Sequence, residues 1–170
     1  MNKIINTMIS VFVFTFFTSV TFSVEMPKVP KVGGGGGDKI DVDALVDQQS
    51  ALVKNMTSAL DNIMEAQGKF AEAFKKKELV QSLQKGREKL EKGEKTPKKD
   101  VKATVKIMTD AQVILDQEME KTTLDAEGKL KFAEGLPPYG TGTINMVGAG
   151  IESVKLFKSL KGTKNLNVIR

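Results

Sequence analysis

The stretch VDALVDQQSALVKNMTSALDNIMEAQGKFAEAF, Val42 to Phe74, decides the fold of this chain. Its apolar residues advance by alternating steps of three and four: Val42, Leu45, Leu52, Met56, Ala59, Ile63, Ala66, Phe70 and Ala73. A third column, Val46, Val53, Leu60 and Phe74, repeats every seven residues. Three apolar columns in seven form a stripe wider than the two-column seam of a simple coiled-coil dimer, so the segment must face several neighbours in a bundle. The pattern predicts one helix from Asp41 to Phe74, roughly 50 Å long at a 1.5 Å rise per residue. Gly68 weakens it slightly. Gln49 and Gln67 interrupt the columns and read as partly exposed positions at a bundle edge, with a polar register lock or a ligand contact as the alternatives. Asn55-Met56-Thr57 fits a glycosylation sequon but falls mid-helix, with Met56 on the core face, and reads as chance.

Downstream, the helical pattern recurs. Leu79, Leu83 and Leu90 give a thin stripe to a short second helix ending near Gly93. Thr96-Pro97 restarts the chain, and Val101, Val105, Met108, Leu115 and Met119 carry a third helix as far as Thr122-Thr123. A helical piece over Asp125–Glu134 is expected to stop at GLPPYG. The last helix, about Thr143 to Leu160, presents Ile144, Val147, Ile151, Val154, Phe157 and Leu160 as its core face. No period-two run of strand length appears, so the expectation is an all-α antiparallel bundle of about four main helices with coiled-coil-like packing, spanning 41–161.

Upstream lies a different kind of sequence. Lys3 is followed by an uncharged run from Ile4 to Val24, densest at MISVFVFTFF. That arrangement predicts a signal peptide over 1–23, with Thr21 and Ser23 before the cleavage point. An uncleaved anchor is the alternative, since a span needs roughly 20 residues. Either case sends the remainder out of the cytoplasm, to a periplasmic, cell-surface or extracellular location. Residues 24–40, with Pro27, Pro30 and five consecutive glycines from Gly33 to Gly37, read as a flexible leader. Residues 162–170 read as a C-terminal tail.

Composition narrows the chemistry. The chain has no Cys, His or Trp, which removes disulfides, zinc sites, His-ligated haem and His-based nucleophile systems. No catalytic, cofactor-binding or metal-ligating constellation is assigned, and a non-enzymatic protein is expected. The net charge of +5 is too small to demand nucleic acid.

Two stretches are candidate contact surfaces. Ten basic residues crowd into 75–99: Lys75, Lys76, Lys77, Lys85, Arg87, Lys89, Lys92, Lys95, Lys98 and Lys99, against four glutamates. They could meet an anionic envelope surface, or form only a solvated helical tip. No aromatic residue lies among them, so base stacking is not supported. The second stretch, GLPPYGTGTINMVGAGI from Gly135 to Ile151, carries no charge in a chain that is 28% charged. Gly148-Ala149-Gly150 reads first as a packing site that lets the last helix approach its neighbours closely. Together with Tyr139, Gly148 and Gly150 are also candidates for a surface facing a protein partner or a second copy. Membrane entry is the third reading.

Overall fold

The computed structural model describes residues 42–162, all helix and short connections, with no strand among them. The signal-peptide and leader assignments, with the glycine run, lie outside the described residues, as does the tail beyond Gly162. The fold is an all-α antiparallel bundle of four helices: α1 (Val42–Ala73), α2 (Lys77–Glu88), α3 (Lys98–Lys121) and α4 (Ala126–Gly162). A 3₁₀ turn, Gly93–Lys95, leads into α3.

α1 is the spine. The short α2–α3 hairpin packs on its C-terminal half, and α4 runs antiparallel along it. Leu60, Met64, Leu83, Val101 and Leu115 are the large side chains sealed at the meeting of α1, α2 and α3. Two aromatic contacts tie α4 to the same core. Phe132 stacks on Phe70 at 4.5 Å and meets Phe74 edge-on at 6.4 Å.

The closest packing is between backbones. A Cβ placed on Gly128 would sit 2.9 Å from the Ala73 carbonyl oxygen, on Gly135 3.0 Å from that of Ala66, and on Gly142 3.0 Å from that of Ala59. Moving seven residues forward on α4 moves seven back on α1, so these contacts form one antiparallel heptad seam of glycine on alanine. Carried on, it sets Ala149 opposite Leu52 and Leu156 opposite Leu45. Ala149 and Leu156 are both buried. Such approach lies at the short end of the roughly 8–10 Å range for helix pairs, and only side chains this small permit it. Asn55 Nδ2 donates to Glu152 Oε2 at 2.7 Å and Lys69 pairs with Glu134 at 3.3 Å, joining the same two helices.

Three expectations are corrected by this packing. First, α4 is continuous through Pro137 and Pro138 where a stop was expected. The prolines leave the carbonyls of Ala133 and Glu134 without helix donors, but both residues are exposed and water can reach them. Gly135 and Gly142, on either side, are docked on α1, so the seam holds the axis across the gap. Second, Ile144, Val147, Ile151, Val154 and Phe157 are exposed rather than core. The face carrying the glycines won the contact with α1 because it lets dozens of backbone and Cβ atoms meet at van der Waals range, which bulky side chains would prevent. Third, Gln67 is fully buried, not at an edge. Its Nε2 donates to the Met108 carbonyl and to Gln112 Oε1, each at 3.0 Å, while its own Oε1 has no partner. It fixes α3 against α1 as a polar lock. Of Gly148-Ala149-Gly150 only Ala149 is in the packed core; a Cβ at Gly148 or Gly150 would meet nothing within 4 Å.

Paired glycine substitutions test the seam. Elsewhere in a helix, Gly→Ala gains roughly 0.5–1 kcal/mol, and Gly140→Ala, in open space, should do so. Gly142→Ala forces the seam apart and should lose roughly 1–3 kcal/mol through overpacking, read by urea denaturation. Helix continuity has its own test. If the helix runs through the prolines, Pro137→Ala should raise stability by up to about 3 kcal/mol; a loop there would make the change neutral or harmful.

Candidate interaction surfaces

The basic residues divide into two groups. At the α1–α2 junction Lys75 adopts a left-handed conformation, φ 58°. It completes a Schellman cap: the Lys76 N–H donates to the Ala71 carbonyl at 2.8 Å and the Lys75 N–H to that of Glu72 at 2.9 Å. The chain then turns sharply into α2, and the two lysine side chains become structural. Lys75 Nζ lies 2.8 Å from Asp125 Oδ2, and Lys76 Nζ 2.9 Å from Glu118 Oε1. Asp125 also caps α4, its Oδ1 accepting from the Gly128 N–H at 2.8 Å. One junction thus ties the end of α1 to the end of α3 and the start of α4.

Arg87 is also engaged. It bridges Asp61 at 2.8 Å and Glu65 at 3.0 Å, pinning α2 to α1. Hydrogen bonding to Asp61 raises the guanidinium pKa above its ordinary value, against some burial. The remaining members of the group, Lys77, Lys85, Lys89, Lys92, Lys95, Lys98 and Lys99, are exposed. Most surround the α2–α3 connection, so what the sequence presents as one basic stretch is a clamp at one end and a solvated cationic tip at the other.

Among the candidate partner-surface residues, Tyr139 points inward. It is half-buried and tilted against Phe70 at 6.1 Å. Burial first, then the charge of Asp116, raises its phenol pKa above the usual value. Asp116 is itself raised by burial, offset by its hydrogen bond from Gln112. Gly148 and Gly150 are half-buried. The exposed large apolar side chains of this region are Leu136, Ile144, Val147 and Ile151, with Leu130 and Val154 on either side. Along a helix of 3.6 residues per turn, Leu130, Ile144 and Ile151 lie nearly opposite Gly128, Gly142 and Ala149. α4 therefore has two apolar faces, one spent on α1 and one turned to solvent. Hydrophobic periodicity identified the second and assigned it to the core. The seven-residue spacing of Gly128, Gly135, Gly142 and Ala149, mirrored by Ala59, Ala66 and Ala73, was the signal that could have found the first.

The grooves add little chemistry. One, of about 550 Å³, has Leu79, Ile107 and Ala111 in its walls and Lys75, Lys76 and Lys77 along it. Another, of about 460 Å³, contains the Arg87–Asp61 pair beside Lys54 and Glu91. Among the described residues no group of three or more His, Cys, Asp or Glu could hold a metal ion, and no helix is long and apolar enough to cross a membrane.

The junction clamp predicts a pH dependence. The hydrogen bonds from Lys75 and Lys76 hold the Asp125 and Glu118 carboxyls below their usual values. Their contribution is thus present above the unfolded values, about 3.9 and 4.3, and is lost as pH falls through the lower folded values. Lys75 is raised, chiefly by its hydrogen bond to Asp125, so its share is lost only as pH rises through that raised value. Asp125→Asn keeps the capping oxygen but removes the charge. Its thermal midpoint should fall less steeply than the parent's in the acid range, and an unchanged acid slope would discount the clamp.

No family model matches this chain, and neither the curated proteins nor the solved structures include a significant match to it.

Proposed function

We propose that this is an exported, non-enzymatic helical-bundle protein of the cell envelope or exterior that acts by binding, as an interaction or structural component. The observation that carries the reading is the outer face of α4. Six aliphatic side chains, Leu130, Leu136, Ile144, Val147, Ile151 and Val154, are more than half exposed there. Single exposed apolar residues are ordinary, but a row of them along one helix marks a surface that meets something. The export part rests on Lys3 and the uncharged run from Ile4 to Val24.

A second reading belongs to the exposed lysines around the α2–α3 tip: association with anionic lipid or polysaccharide. Such contact would be screened by salt, since the Debye length is about 8 Å at 0.15 M. The tip is the part to alter in testing it, because Lys75 and Lys76 serve the fold.

Mass spectrometry of the protein recovered from the envelope or medium should give a mass lacking the first 23 residues or so. Intact Met1 in a membrane pellet would instead favour a retained anchor. Crosslinking from positions on the α4 outer face in that fraction should capture a defined species. For the second reading, flotation with anionic vesicles should weaken with salt and disappear in a Lys85→Glu, Lys89→Glu, Lys92→Glu variant that keeps its circular dichroism. Salt-insensitive flotation would argue against it.

A further inference from the structure

Resting on the binding role proposed for the α4 outer face, we propose that its occupant is a second copy of this chain, docked antiparallel through Ile144, Val147, Ile151 and Val154. The spacing of these four, three then four then three, is that of alternating a and d positions in a heptad. All are β-branched, and all are exposed by 51–73%.

Self-complementarity follows from the positions. In antiparallel coiled packing an a residue layers against a d residue. If the two-fold axis passes beside Ala149, Ile144 meets Val154 of the second copy and Val147 meets its Ile151. The reciprocal contacts complete four Ile–Val layers, as an isologous interface requires. Thr143, Gly148 and Gly150, small and uncharged, flank the middle of the stripe and let the helices approach there, while Lys155 and Phe157 flank its end at Val154. A parallel arrangement would set Lys155 and Lys158 beside their own copies. The antiparallel one sends them to the uncharged level of Thr143 and Gly140, so like charges are kept apart.

The four side chains of the stripe expose less than the roughly 800 Å² that a standard stable interface takes from each partner, so the pairing is that of a weak dimer whose population grows with concentration.

The test is sedimentation velocity on the full chain over a concentration series, with paired charge variants. Wild type should approach twice the monomer mass as concentration rises. Ile144→Lys/Val154→Lys should be monomeric with unchanged circular dichroism, because both positions are exposed in the single copy. Ile144→Lys/Val154→Glu should recover the dimer, since antiparallel pairing places each new lysine against a new glutamate. Three results would overturn the proposal: a monomeric wild type, a dimer that survives the double lysine change, or a lysine–glutamate variant as monomeric as the double lysine. Vesicle flotation separates this failure from failure of the binding role. A monomer that floats with zwitterionic vesicles, and stops doing so in the double lysine variant, would give the face to lipid. A monomer that neither floats nor crosslinks through α4 would remove both proposals.

Discussion

The structure depends on how closely two backbones can lie. Ala59, Ala66 and Ala73 on one helix and Gly142, Gly135 and Gly128 on the other leave a Cβ no room at the glycines, and each glycine rests on an alanine carbonyl about 3 Å from where that Cβ would be. Because the repeat is seven on both helices, one contact fixes all the others and sets the register of α1 against α4 along their length. What α4 gains there allows it to carry two consecutive prolines in its interior, each of which costs an isolated helix about 3 kcal/mol. It also dictates what faces outward. A helix that turns its glycines to its neighbour turns its isoleucines and valines away.

α1 and the hairpin were legible because their signals are ordinary ones. Large apolar side chains at steps of three and four placed α1 within a residue of where it lies, and Thr96-Pro97 marked the restart before α3. α4 was misread for a definite physical reason. Glycine contributes nothing to a hydrophobic pattern, so the aliphatic face looked like the core face, and Pro137-Pro138 looked like a boundary. Gln67 departs from its pattern for a related reason: its polarity reads as exposure, whereas the buried amide finds a carbonyl and a second amide on α3. The basic stretch was legible as charge but not as roles. Only the left-handed turn at Lys75 shows that two of its lysines clamp the junction while seven others stand at or near solvent.

These features separate stability from function along the chain. Arg87, Lys75, Lys76, Asp125 and Gln67 are committed to holding helices together, and their charge or polarity is satisfied chiefly within the fold. The lysine tip and the outer face of α4 carry no such duty. One offers charge without apolar anchors, the other apolar anchors without charge, so the two surfaces suit partners of opposite chemistry. The proposed binding role and the proposed antiparallel pairing both follow from the second.

The continuity of α4 along α1 is the claim on which the rest stands, and the absence of native cysteine makes it directly measurable. Spin labels on Lys129→Cys and Lys158→Cys, both exposed on α4, report the distance between its two ends by double electron–electron resonance. A helix unbroken by Pro137-Pro138 places those positions roughly 44 Å apart at 1.5 Å per residue, and the account predicts a single narrow distribution near that value. A short or broad distribution would mean that the chain turns at the prolines. The glycine–alanine seam, and the outward face it creates, would then be wrong.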